Sequence, residues 1–137
     1  MTATLPNQSN FSIPISVQKN DIDELGHVNN VVYVRWVQEV AAAHWDSLAN
    51  ADVKLKYLWV VLRHEIDYLS AAFEGDQLIA TTWVGESSGV KSERFVHITH
   101  EKTGKSIAKA RTTWCLLDSL TMKPKRVDDL VLNILKG

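Results

Sequence analysis

Between about Val31 and Leu48 apolar residues recur with the period of a helix, and beyond Asn50 that period gives way to one of two. A chain so patterned must pack one long helix against a run of strands. Tyr33, Trp36, Val37, Val40, Ala41, His44 and Leu48 share a broad helical face, opposed by a narrow polar stripe of Arg35, Gln38, Glu39, Ala42 and Asp46. Such a helix is expected to be wrapped by other structure on most of its circumference. Ahead of it, Phe11, Ile13, Ile15 and Val17 alternate with smaller or polar residues and predict a first strand. Pro14 within that strand cannot donate a ladder hydrogen bond, which points to a sheet edge or a bulge.

Downstream, Leu58, Val60, Leu62, His64, Ile66 and Tyr68 read as one face of a long strand, and Gly75-Asp76 turns the chain. Leu78 to Val84 is rich in β-branched residues and supplies another strand, with a break expected at Gly85-Glu86-Ser87-Ser88-Gly89. Arg94 to His100 and Ser106 to Leu117 form a hairpin across Glu101-Lys102-Thr103-Gly104-Lys105. Four strands in succession favour an antiparallel sheet. Ala108 and Ala110 alternate with Lys109 and Arg111, so one face of the last strand suits close approach of a helix and the other stays wet. With 137 residues, 45% of them apolar, the chain fits one globular domain with a core from about 11 to 130. The tails are the expected mobile parts.

Charge and cysteine content narrow the setting. A formal net charge of −1 gives no global attraction to nucleic acid or to an anionic membrane. The single Cys115 cannot form an internal disulfide, and the polar start from Thr2 to Asn10 lacks the basic region and apolar core of a signal peptide, so a cytoplasmic location is expected. No apolar run approaches the roughly twenty residues that span a bilayer.

The stretch Asp21-Ile22-Asp23-Glu24-Leu25-Gly26-His27-Val28-Asn29-Asn30 places carboxylates, a glycine, a histidine and two asparagines just ahead of the long helix. Free backbone N–H groups and the positive dipole end there attract an electron-rich group, and a carboxylate beside them suits hydrolysis. The alternative for Asp23 and the asparagines is structural capping. Calcium does not fit the loop, because Leu25 and Val32 stand at positions where an EF-hand requires oxygen ligands. Zinc does not fit either, since His27, His44, His64, His97 and His100 show no ligand spacing around Cys115. His64, on the apolar face of its strand, reads as a hydrogen-bonded core histidine.

Asp21, Asp23, Gly26, His27, Asn29, Asn30, Tyr33, Trp36 and Glu39, followed by Ile66-Asp67-Tyr68, Gly75-Asp76, Ser92, Ala108, Ala110 and Thr112, are similar to the 4-hydroxybenzoyl-CoA thioesterase-like group of acyl-CoA thioesterases, over nearly the whole chain from Phe11 to Leu130. The resemblance implies an α+β hotdog fold, a curved antiparallel sheet wrapped around a long central helix, that hydrolyses an acyl-CoA thioester. It implies no cofactor or metal, and a homodimer or homotetramer with sites between subunits. The matching catalytic aspartate is Asp23, as general base or nucleophile, with Asp21 orienting the loop. Gly26, His27 and Asn30 join it at the catalytic position, the backbone from Gly26 to Asn30 polarising the thioester carbonyl. Some relatives place a histidine where this chain has Asn30. Asn29 and Tyr33 fall at substrate-binding positions, and Lys91, Ser92 and Arg94 match a region that meets the nucleotide of coenzyme A. A second cationic cluster, Lys123-Pro124-Lys125-Arg126, departs from the family pattern at Asp128, where a proline is common. An acyl-ACP thioesterase and a non-catalytic acyl-ligand-binding module are the alternative readings.

Overall fold

The computed structural model describes residues 10–137; the part of the polar start before Asn10 lies outside the described residues. β1 (Phe11–Ser16) leads through a 3-10 turn (Lys19–Asp21) to α1 (Asn30–Leu48) and a short α2 (Ala51–Lys56), followed by β2 (Tyr57–Tyr68), β3 (Gln77–Ser88), β4 (Lys91–His100), β5 (Ser106–Asp118) and α3 (Asp129–Lys136). The strands form one antiparallel sheet in the order β1-β3-β4-β5-β2. Pro14 therefore sits in an edge strand, as its missing N–H requires.

Tyr33, Trp36, Val37 and Val40 of α1 are buried against Leu78, Ala80, Val96, Ile98, Ala108 and Ala110 of the sheet. The alanines are what let the helix axis come close, and Lys109 and Arg111 take the other face, as expected from their alternation. Tyr68 donates its hydroxyl to Asn30 O at 3.3 Å, whereas Trp45 meets Trp59 edge to face with centroids 5.7 Å apart. Hence α1 runs antiparallel to β2, with the helix start beside the end of that strand.

Four local features depart from the pattern read in the sequence. Six-residue α2 buries no side chain, so it leaves no apolar period; Asn50 starts it by accepting the Val53 N–H. In β2 a bulge at Leu62 breaks the single face into two: Tyr57, Trp59 and Val61 face the helix before it, His64 and Ile66 after it, and Leu58, Val60 and Leu62 are exposed. β3 runs through Gly85 to Ser88, and the turn falls at Gly89, whose φ is +60°. Gly85 is needed inside the strand because a Cβ there would come within 2.7 Å of the Phe95 ring. The C-terminal tail is the ordered α3, capped by Asp128 through the Val131 N–H, which explains an aspartate in place of proline. Its Val131 and Leu135 close a second core with Trp45, Ala49, Leu116 and Val127.

Val131 is 0% exposed and its neighbour Leu130 is 54% exposed. Val131→Asp would bury a carboxylate without a partner and is expected to cost several kcal/mol, about 3 or more. Leu130→Asp on the same helix is expected to stay within about 0.5 kcal/mol of the parent. Chemical denaturation of both variants checks this; equal midpoints would show that α3 does not belong to the cooperative core.

Candidate active site

The loop between the 3-10 turn and α1 is built on one buried carboxylate. Asp21, 5% exposed, accepts the Gln18 N–H at 2.9 Å and Arg35 Nη2 at 2.9 Å, while its carbonyl accepts the Asn29 N–H at 2.9 Å. These bonds fasten the loop to both the chain before it and the helix after it, the orienting role expected of Asp21. Ile22 and Val28 then pair as an antiparallel bridge, with the Asp23 N–H donating to His27 O at 2.9 Å. Gly26 closes the tip at a φ of +88°, a conformation that glycine adopts without strain.

Asp23 is held far less tightly than Asp21. Its Oδ1 accepts the Leu25 N–H at 2.8 Å, and its Oδ2 faces His27 Nδ1 at 3.6 Å. His27 Nδ1 also lies 3.3 Å from Val28 O, an acceptor only, which assigns the ring proton to Nδ1. The half-buried Asp23 carboxylate thus keeps lone pairs open to an incoming group.

Accounting for backbone donors locates the polarising groups. The Gly26 N–H is spent on Asp23 O, that of Val28 on Ala72 O, and that of Asn29 on Asp21 O. Asn29 is the N-cap of α1, its side chain accepting the Val31 N–H at 3.0 Å. Among the described residues no acceptor meets the N–H of His27 or of Asn30, the first residue of the helix. Five of the expected site residues, Asp23, Gly26, His27, Asn29 and Asn30, therefore share one loop, with Asn29 in a capping role and Gly26 in a turn-forming one. Tyr33 is a core residue instead, enclosed by Trp36 and Tyr68, and burial pushes its phenol up to about 12 against a backbone hydrogen bond from Ala72.

Lys91, Ser92 and Arg94 do not form a common cationic rim. Strand alternation puts exposed Lys91 on the outer face and buried Ser92 and Arg94 on the helix face, so burial removes Arg94 from a surface contact with nucleotide phosphates. Arg94 lines a cavity of about 250 Å³ between the last turns of α1, β2 and α3, walled by Trp45, Trp59, Trp114 and Leu135, with Ser92 alongside. Its Nη1 donates to His44 Nδ1 at 2.8 Å and to Thr82 Oγ1 at 3.2 Å. Since a guanidinium only donates, His44 must accept at Nδ1 and is neutral; burial, with the Arg94 charge adding to it, lowers its pKa to about 4. The cavity was not foreseen; its one sequence signal is an arginine in phase with Val96 and Ile98 on the apolar face of a strand. His64 is half-buried, bonded to Thr112 Oγ1 at 2.8 Å, as expected for a satisfied core histidine.

Comparison with known proteins places this geometry. A family model described as thioesterase-like superfamily matches residues 17–135. No curated protein matches the sequence. Among solved structures, a probable thioesterase from Escherichia coli, YbaW, is 26% identical, with 91% of this chain and 96% of that one covered at a TM-score of 0.79. A 1,4-dihydroxy-2-naphthoyl-CoA thioesterase from Synechocystis is 15% identical, covering 93% and 96% at a TM-score of 0.80. A 4-hydroxybenzoyl-CoA thioesterase mutant complexed with 4-hydroxybenzoyl-CoA is 11% identical, covering 92% and 98% at a TM-score of 0.82. The fold is thus the hotdog fold that the resemblance implied.

Neutral His44 also predicts a pH dependence. Above about pH 6.5 neither the folded nor the unfolded imidazole holds a proton; below it the unfolded chain takes one up, while the folded site resists until about pH 4. Stability is therefore expected to fall as the pH drops through that window. His44→Gln, which keeps an acceptor for Arg94 but does not titrate, is expected to lose less over the same range, measured by thermal melting. Equal losses in both proteins would contradict the neutral assignment.

Proposed function

Because the chain belongs to the thioesterase-like superfamily, we propose that it hydrolyses acyl-CoA thioesters to a carboxylic acid and free coenzyme A, with Asp23 as the reacting carboxylate. The observation that carries this reading is the pairing of an under-bonded Asp23 with the unspent N–H groups of His27 and Asn30 at the start of α1. As an oxygen nucleophile adds to the thioester carbon, negative charge gathers on the carbonyl oxygen, where fixed N–H donors and the helix dipole stabilise it without reorganising. Asp23 either removes a proton from the attacking water or itself attacks to give a mixed anhydride that water then opens; in both routes the C–S bond breaks and the thiolate leaves. His27, with its Nδ1 proton turned toward Asp23 and Val28 O, orients the carboxylate. Asn30 contributes through its backbone N–H. The same reading places the enzyme in the cytoplasm, where its lone cysteine stays reduced. No helix among the described residues is long and apolar enough to cross a membrane.

A second copy completes this site. β1 is a short edge carrying Pro14, whereas the outer edge of twelve-residue β2 pairs with no strand among the described residues and is flanked by exposed Leu58, Val60 and Leu62. Two such edges paired antiparallel about a two-fold axis bring the Tyr68 end of one β2 beside the Tyr57 end of the other. Since the Asp23 loop sits at the Tyr68 end and the tryptophan-walled cavity at the Tyr57 end, the loop of one copy meets the cavity of its mate. Exposed Leu25, Val31, Leu69 and Phe73 around the loop give that contact an apolar surface. Within one chain the two lie far apart: Asn30 and Ala41 are separated by roughly 17 Å of helix at 1.5 Å per residue.

Asp23→Asn keeps the shape of the side chain and removes its charge, so turnover of an acyl-CoA panel followed by thiol release is expected to fall by about a hundredfold or more. The melting temperature should stay within about 2 °C, since only one loop hydrogen bond is touched. Near-parental turnover in a folded variant excludes the role of Asp23. For assembly, analytical ultracentrifugation is expected to show a dimer or a multiple of it, and Val60→Glu combined with Leu58→Lys to shift the protein toward monomer with loss of activity. A fully active monomer contradicts the shared site.

A further inference from the structure

Arg94 is the one arginine buried among the described residues, and it is buried without a counter-ion. Arg35 meets Asp21 and Glu39, Arg63 meets Glu65 and Arg111 meets Glu93; among the described residues only exposed Arg126 and buried Arg94 have no carboxylate within ion-pair reach, and Arg126 is free to be hydrated where Arg94 is not. Its Nη1 is occupied by two neutral acceptors, His44 Nδ1 and Thr82 Oγ1; Thr82 in turn spends its own proton on Phe95 O at 2.8 Å. Nε and Nη2 have no hydrogen-bond partner among the described residues, and the side chain lines the cavity.

A second donor points the same way. Trp114 lines the same cavity, and its Nε1 is buried with no hydrogen-bond partner among the described residues. Ser92 Oγ accepts the Ser87 hydroxyl at 2.9 Å, so its own proton is free to be donated. Inside its rim the cavity therefore joins apolar walls to three donors, the Arg94 guanidinium, the Ser92 hydroxyl and the Trp114 indole, with one uncancelled positive charge. Asp46 at the margin does not cancel it, lying 3.9 Å from Lys54 Nζ. Buried donors and buried charge without partners are costly, and their complement is an anionic oxygen group at the end of an apolar stem. A cavity of about 250 Å³ exceeds the roughly 150 Å³ that accommodates benzene, so it has room for a substantial acyl stem.

We infer that this cavity selects acyl groups carrying a carboxylate at the end remote from the thioester, with Arg94 and Trp114 as the specificity-determining residues. This rests on the thioesterase reading only for which molecule delivers the group: the acyl chain of a thioester held at one copy's Asp23 loop enters the cavity of the other copy. Arg94 then gains the counter-ion that the protein withholds.

The test compares ω-carboxyacyl-CoA thioesters with methyl-terminated acyl-CoAs of equal chain length, over a series of lengths, using the intact protein. The ratio of kcat/KM for the carboxylated over the methyl-terminated partner is expected to exceed one by on the order of tenfold or more at the best length. Arg94→Gln should cut that ratio at least about tenfold and Trp114→Phe, which removes the N–H together with the pyrrole ring and so thins the wall for both substrates alike, by about threefold or more. A purely structural defect lowers both rates together and leaves the ratio in place, which would overturn the assignment. Calorimetric titration with the free dicarboxylic acid, against the monocarboxylic acid of the same length, reads the cavity without hydrolysis. Preferential diacid binding that Trp114→Phe weakens, in a protein that turns over no thioester, would sink the hydrolase reading alone. Turnover lost on Asp23→Asn, with no carboxylate preference in either assay, would sink the cavity assignment alone.

Discussion

Everything in this molecule hangs on how closely α1 can approach the sheet. Large side chains on the helix, Tyr33, Trp36 and Val40, fill the space above small ones on the strands, Ala80, Ala108 and Ala110, so the first turns of the helix interlock with the sheet. That contact fixes the helix start against Tyr68 and its last turns against Trp59. Both functional regions are consequences of where those two ends fall.

At the start of the helix, two aspartates two residues apart divide labour through their surroundings. Asp21 is buried, with one oxygen bonded by Arg35 and the other by Gln18, so its position is fixed. Asp23 has one backbone donor on Oδ1 and only a longer approach from His27 on Oδ2, so its lone pairs remain available. A tightly bonded carboxylate is a poor base and a poor nucleophile, because reaction must first break its bonds. The rigid aspartate holds the free one in place relative to the N–H groups of His27 and Asn30.

Much of this was legible in the sequence because it depends on local period. The span and buried face of α1 and the alternation in β5 follow from repeats of 3.6 or two, while Pro14 marks the edge strand β1 and the turn at Gly104 marks the hairpin between β4 and β5. What period cannot convey is a single inserted residue: the bulge at Leu62 changes which residues of β2 face inward while leaving their sequence alternation intact. Nor does Gly85 announce that it stays in a strand, since the cause is the Phe95 ring on the neighbouring strand. α2 and α3 escape for a related reason, being too short for a period to establish itself. Asp23, Gly26, His27, Asn29 and Asn30 were legible as a unit because they are contiguous. The cavity was not, because its walls come from six separate elements, and Arg94 read as a surface cation until strand phase put it inside.

Each end of α1 meets an arginine paired with a buried side chain, Asp21 at one end and His44 at the other, and the contrast between them follows from that choice of partner. Arg35 at the first end is answered by Asp21, so the pair is locally neutral and serves only to hold the loop. Arg94 at the other end is answered by His44, a neutral acceptor whose ring is fixed by stacking on Phe11 with centroids 5.1 Å apart. An imidazole orients a guanidinium through a lone pair as well as a carboxylate does, but it cancels none of the charge. Aspartate at position 44 would convert the second pair into the first, giving a structural bridge and a cavity without field. With histidine there, the positive charge of Arg94 remains directed into an apolar space, where low polarisability of the walls makes it felt over a longer range than at the surface.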